Sequence, residues 1–207
     1  MEPAPERRQG MTWKEFLNMH WDVLAATDFF TVELWAARGL IRYHVLFVLR
    51  LATREVHIAG LVAEPHEAWM KQIARSLIDP LAAFLRGTRF LIHDRASLFS
   101  EQFRQLLRSA QGEGLRLPAR SPNLNAFAER FVRSIREECS DRMVFFGEVS
   151  LRRAVDEFVI HYNQERNHQG LANQLIRPEP TDFPVGGNIS RRKRLGLLNF
   201  YNLEAVG

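Results

Sequence analysis

Cysteine is almost absent: Cys139 is the single one in 207 residues, which excludes an intrachain disulfide and a Cys-rich zinc site and is consistent with reducing surroundings. Long apolar runs are also missing. No stretch reaches the roughly 18 consecutive apolar residues that a membrane-spanning helix needs, and the start, Met1-Glu2-Pro3-Ala4-Pro5-Glu6-Arg7-Arg8, lacks the apolar stretch of a signal peptide. A cytoplasmic protein without membrane contact is expected. There is no internal repeat and no low-complexity segment. Lysine is scarce, with 3 against 25 arginines.

What is present is an ordinary globular composition, 46% hydrophobic, in a chain long enough for one substantial core with short extensions. The net charge of +4 is modest, but its makeup is informative. The planar fork of arginine pairs bidentately with phosphate, so an arginine-dominated basic balance favours nucleic acid as a partner, although genome base composition produces the same bias.

Residues 1–20 read as a polar, basic tail leading into a short helix with Trp13, Phe16 and Leu17 at helical spacing. Segments rich in β-branched and aromatic residues around Val23 to Phe30, Ile41 to Leu49 and Val56 to Val62 predict three sequential antiparallel strands, the last two joined by a short turn near Ala52-Thr53-Arg54. Pro65 opens a helical pattern with Trp69, Ile73 and Leu77 on one face, kinked or ended by Pro80. Phe90 to His93 is a short buried strand. Ser100 caps a helix carrying Phe103, Leu106 and Leu107, Gly112 and Gly114 stop it, and Leu115 to Leu117 forms a fifth strand. This order is that of an α/β, RNase H-like fold, a mixed five-stranded sheet flanked by helices.

Three acids stand where a carboxylate is hard to explain as structure. Asp28 interrupts the apolar run from Val23 to Phe30, Asp94 closes the run Phe90-Leu91-Ile92-His93, and Glu129 opens a helix. Ionised carboxylates are rarely buried unpaired, and Mg²⁺ or Mn²⁺ suits a hard oxygen donor set. Plainer readings stand beside this one: Asp28 as a strand end turning to solvent, Asp94 as a cap or turn residue, and Glu129 with Arg133 as an i,i+4 surface pair worth a few tenths of a kcal/mol. On the helix, Ala128, Phe131, Val132, Ile135 and Cys139 form an apolar stripe, and Glu129, Arg133 and Arg136 share a side roughly a quarter turn away. Glu137 and Glu138 read as solvated, and His93 as a satisfied core histidine that could also orient a ligand.

The words Thr27-Asp28-Phe29-Phe30, His93-Asp94-Arg95, Ser121-Pro122-Asn123 and Asn125-Ala126-Phe127-Ala128-Glu129-Arg130-Phe131 resemble the catalytic core of DDE transposases and retroviral-type integrases. Asp94 and Glu129 are separated by 34 residues, where the family usually has 34 or 35. Arg136, seven positions after Glu129, and Tyr162-Asn163-Gln164-Glu165-Arg166-Asn167-His168-Gln169 also match. The resemblance spans about residues 20 to 180 and is closer to bacterial insertion-sequence enzymes than to viral ones. After the second acid, many relatives have Gly or Asn where this chain has Arg95-Ala96-Ser97.

The resemblance implies DNA cleavage and strand transfer with two Mg²⁺ or Mn²⁺ ions, Asp28 bridging them, Asp94 completing one ion's ligands and Glu129 binding the other. Arg133 and Arg136 would hold phosphates beside the scissile bond, with Arg166 also near phosphate in a segment of mainly structural role. The run Arg191-Arg192-Lys193-Arg194 reads equally as a solvated tail or as a nonspecific DNA contact. The division is 1–20 basic tail and short helix, 21–180 catalytic core, 181–207 basic extension, with a linker marked by Arg177-Pro178-Glu179-Pro180 and Pro184 to Gly187. The His/Cys zinc module that precedes viral integrase cores is not found here. Neither is the helix-turn-helix that usually reads the element ends, so a reader on a separate chain is a natural partner, as is a second copy of this chain to hold two DNA ends. Alternatives are an RNase H-like nuclease that does not join, and a degenerate DNA-binding remnant of a mobile element.

Overall fold

The computed structural model describes residues 12–79, 84–117, 126–178 and 188–204. Pro80, Ser121-Pro122-Asn123, Asn125 and the linker beyond Pro178 lie outside them. Helix α1 (Trp13–Met19) starts at a capping box in which Thr12 and Glu15 bond reciprocally. It packs on the sheet through Phe16 and His20, whose rings both stand edge-on to Phe90.

Strands β1 (Leu24–Ala36), β2 (Gly39–Arg50) and β3 (Val56–Val62) form an antiparallel meander, followed by α2 (Glu67–Ile78), β4 (Phe90–His93), α3 (Glu101–Ser109), β5 (Glu113–Arg116), α4 (Ala126–Glu138) and α5 (Gly147–Ile160). The sheet order is β3-β2-β1-β4-β5, with β4 and β5 parallel to β1. This is the mixed five-stranded sheet flanked by helices that the element order predicts.

β1 is longer than its apolar run. Pairing with β2 from Ala25↔Arg50 to Ala36↔Gly39 carries it six residues past Phe30, with Val32 and Leu34 buried and Glu33 and Trp35 exposed by period-2 alternation. Asp28 therefore sits inside a central strand opposite Phe47, and the reading of it as a strand end fails.

The two faces of the sheet carry separate cores. Leu24, Ala26 and Phe30 of β1, Val45, Phe47 and Leu49 of β2 and Phe90 and Ile92 of β4 pack with α4 and α5. Ala25, Leu46, Val48 and Leu91 point the other way, against Met70, Ile73 and Leu77 of α2 and Phe103 and Leu107 of α3. At Gly60 of β3 the backbone approaches α2 so closely that a Cβ would stand 2.6 Å from Ile73 Cδ1 and 2.7 Å from Trp69 Cζ2.

After α5 the chain makes a π turn, His161–Glu165, and the final segment is a hairpin of β6 (Asn188–Arg194) and β7 (Leu198–Glu204). Leu195 and Gly196, both at positive φ, make its turn. Leu198 is buried in the core, and Arg194 is gripped by Glu157 and Glu165. The basic run is thus a strand docked on the end of α5 rather than a loose tail.

Candidate active site

The sheet register brings the two aspartates together. β1 and β4 pair in parallel through Leu24↔Phe90 and Ala26↔Ile92, and two more residues along each chain stand Asp28 and Asp94. By alternation Asp28 shares the side of Ala26 and Phe30, the face covered by α4. Helix α4 is held there by Phe131, whose ring lies 4.7 Å from Phe47 and 5.1 Å from Tyr162. Glu129, two residues earlier in the first turn, is exposed.

The electrostatics reflect that convergence. Burial is the main force pushing the Asp28 carboxyl up, from 3.8 to about 6; the bond from Phe29 N (2.7 Å) opposes it, and the charges of Asp94 and Glu129 add to the rise. Each half-buried acid has a backbone clasp. Asp94 Oδ1 accepts from Ala96 N at 3.0 Å, and Arg95 Nε donates to Leu117 O at 3.1 Å. Arg95-Ala96-Ser97, the departure from the family's expected Gly or Asn, thus begins in an Asx-type turn. His93, fully buried, donates from Nδ1 to Asp94 O at 2.7 Å, and burial lowers its pKa. Beside the first acid, the buried Thr27 hydroxyl donates to Phe47 O at 2.7 Å.

Among the described residues no three His, Cys, Asp or Glu side chains are gathered closely enough to hold an ion as they stand. The donor chemistry does fit one. All three groups are carboxylates, their mutual repulsion registers at Asp28, and a hard divalent cation is the partner that would cancel it.

The expected arginines divide. Arg133 and Arg136 are exposed on α4, on the side of Glu129. Arg166 makes a two-bond pair with Glu138 at 2.7 and 3.2 Å, so Glu138 is not the solvated residue its position suggests. Arg194 is turned inward to its two carboxylates, and Arg191 bonds Asn199 at 2.8 Å. Arg192 and Lys193 are exposed on β6.

The Tyr162 to His168 word does structural work. Asn163 Nδ2 donates to Val56 O and its Oδ1 accepts from Val56 N, tying β3 to the π turn. His168 Nε2 bonds Tyr162 O at 2.7 Å.

Sequence reasoning passed over a second basic group. A cleft of about 520 Å³ beside α4 is lined by Arg54, Arg130, Arg133 and Arg166, with Glu137, Glu138 and His168. Arg130 follows Glu129 directly, about 100° further round the helix. Arg54 was legible as a turn residue alone.

Comparison with known proteins supports the same fold. Residues 116–174 match the family model of an integrase core domain, a stretch that contains Glu129 and the Tyr162 to His168 word but neither aspartate. The catalytic core domain of BIV integrase is similar at a TM-score of 0.52 and 13% identity, over 72% of this chain and 88% of that one. The HTLV-2 integrase catalytic core domain, solved in complex with magnesium in a trimeric form, is similar at 0.56 and 11% identity, over 75% and 93%. A simian T-cell lymphotropic virus intasome in complex with PP2A regulatory subunit B56 gamma is similar at 0.53 and 13% identity, over 88% and 67%. No curated protein matches the sequence. The chain thus resembles an integrase or transposase catalytic core and has its RNase H-like fold. No helix among the described residues is long and apolar enough to cross a membrane.

Proposed function

We propose that this chain is the catalytic core of a transposase or integrase that cuts and joins DNA strands with two Mg²⁺ or Mn²⁺ ions held by Asp28, Asp94 and Glu129. The reading rests chiefly on Asp28. It is planted inside a central strand, burial pushes it up to about 6, and the charges of Asp94, just past β4, and of Glu129, on α4, add to the rise. An acidic trio of that kind costs stability, which is the usual mark of a functional site.

Bound ions would supply an activated oxygen nucleophile and relieve charge on the leaving oxygen. Asp28 would serve both ions, Asp94 would complete the ligands of one, and Glu129, in the first turn of α4, would hold the other. Around them this chain's residues orient and hold. His93 and the Asx-type turn fix the backbone at Asp94, and Phe131 fixes the height of α4. Arg133 and Arg136 grip phosphates beside the reacting bond, while the exposed cations of β6 add nonspecific contact. The magnesium in the HTLV-2 core and the DNA-bound assembly implied by an intasome favour the same metal, DNA as substrate and an oligomer of cores. Recognition of element ends falls to a helix-turn-helix reader outside these residues.

The test uses a labelled DNA duplex incubated with the purified chain and Mg²⁺ or Mn²⁺. Asp28→Asn, Asp94→Asn and Glu129→Gln should each remove nearly all cleavage and leave the circular dichroism spectrum unchanged. Full cleavage by the Glu129→Gln protein would overturn the assignment.

A further inference from the structure

The cleft on the flank of α4 holds more positive charge than its own residues neutralise. Of its guanidiniums, Arg166 is matched by Glu138. Arg54 and Arg130 pair with no carboxylate among the described residues. Arg54 spends one N–H on Leu51 O at 2.6 Å and lies over aromatic rings, 3.5 Å from the centre of Phe127 and 5.0 Å from Trp21. Its backbone is left-handed, φ 65°, an uncommon state for a residue with a side chain, and one that turns and ligand sites tolerate. Arg130 is exposed on α4, its Nη1 3.8 Å from where a Cβ on Gly170 would stand. Burial lowers the pKa of Arg54, and the charge of Arg130 lowers it further. The remaining acid, Glu137, lies at the exposed rim.

We propose that this cleft binds the phosphate backbone of the DNA strand as it continues past the reaction site, with Arg54 and Arg130 as its two phosphate ligands. Three observations give the direction. Arg133 lines the cleft and also stands one turn from Glu129, so it joins the acidic edge of α4 to the basic flank. The rings of Phe127 and Trp21 fix the Arg54 fork in place, which reduces the side-chain entropy lost on binding. The other wall is the Gln169 to Leu171 turn, held by the His168 bond to Tyr162, so the family word that closes the core also builds the cleft.

This inference rests on the proposed reading of DNA as substrate, and its test keeps the two apart. Binding of the full chain to a labelled duplex is measured without metal over a range of salt. Arg130→Ala removes an exposed side chain that makes no hydrogen bond among the described residues, so folding is not at issue. It should weaken binding several-fold and reduce the slope of log affinity against log salt by about one unit. Arg38→Ala, in the far β1–β2 turn, should leave both unchanged. A duplex that binds the wild type and the Arg130→Ala protein with equal slopes overturns the cleft and leaves the active-site assignment standing. A wild type that fails to bind any duplex overturns both. Inorganic pyrophosphate serves as a separate probe by thermal shift. Stabilisation of the wild type that Arg130→Ala loses, with no change in the DNA slope, would mean a small-anion site and overturn the strand reading.

Discussion

Asn163 and Val56, 107 residues apart, are joined by two hydrogen bonds: Asn163 Nδ2 to Val56 O at 2.9 Å and Val56 N to Asn163 Oδ1 at 3.1 Å. The amide thus imitates a neighbouring strand at the start of β3, in a buried position where neither backbone group can turn to water. Asn163→Asp replaces the donor with an oxygen that repels the Val56 carbonyl. It should destabilise the chain by about 2–4 kcal/mol, read as a lower urea midpoint with an unchanged m-value. Asn163→Ala should cost somewhat less, since it leaves both groups unpaired without adding charge. Equal midpoints for wild type and Asn163→Asp would remove this tie from the account of the fold.

The Asp28 carboxyl gives stability a pH dependence of definite sign. Its folded pKa of about 6 lies above its ordinary 3.8, so the folded chain holds this proton more tightly than the unfolded one. The favourable contribution is full below about pH 4, is lost as pH rises to about 6, and is absent above that. Asp28→Asn cannot titrate and should be more stable than wild type at pH 7 by roughly 2–3 kcal/mol, with the difference vanishing near pH 4. Thermal melts at several pH values measure it. Added Mg²⁺ should raise the melting temperature of the wild type at pH 7 and leave that of Asp28→Asn unchanged. A variant less stable than wild type at pH 7 would mean that the carboxylate is structural.

The legible parts of the site were those that depend on one element at a time. A short continuous apolar run located β4 to the residue, and the stripe Ala128, Phe131, Ile135, Cys139 located the buried face of α4, with Val132 half-buried beside it. The acids could be picked out because each breaks such a pattern. The extension of β1 to Ala36 was hidden because the continuous apolar run stops at Phe30, and the alternation of residues 31–36 becomes a strand only through pairing with β2. Arg54 and Arg130 meet only when the β2–β3 turn reaches α4, and nothing local in either segment signals that contact. The basic run looked like a tail because its strand character depends on β7, on the left-handed turn at Leu195-Gly196 and on two acids from α5 and the π turn.

Gly60 marks a close approach of α2 to the sheet. A methyl group there would lie 2.6 Å from Ile73 Cδ1, which can rotate away, and 2.7 Å from the Trp69 ring, which is broad and rigid. Gly60→Ala should therefore cost about 1–3 kcal/mol through displacement of α2. The loss would appear in the urea midpoint, with little effect on metal-dependent cleavage, because α2 covers the face of the sheet away from Asp28. A midpoint equal to that of wild type would show that α2 yields without cost.

Arg194 holds the last hairpin to the core, and its release should depend on acid. Its guanidinium bonds Glu157 and Glu165 and lies 5.7 Å from the centre of the Phe200 ring. Burial pushes the Glu165 carboxyl up, but the bonds from Arg194 and His161 together outweigh it and hold it below the usual carboxylate range. A depressed carboxyl contributes stability that is present above its ordinary pKa and lost as pH falls through the folded value. Protection factors of the β6 and β7 amides should therefore be high at pH 7 and fall below about pH 4, while those of β1 and β2 stay high. Arg194→Ala should bring the loss of protection to neutral pH, at a local cost of about 1–3 kcal/mol for stranding two half-buried carboxylates. Arg191→Ala, which removes two exposed bonds to Asn199, should leave the hairpin protected. If Arg194→Ala exchanges like the wild type at pH 7, Leu198 and the other apolar contacts hold the hairpin alone, and the ion pairs contribute nothing to its docking.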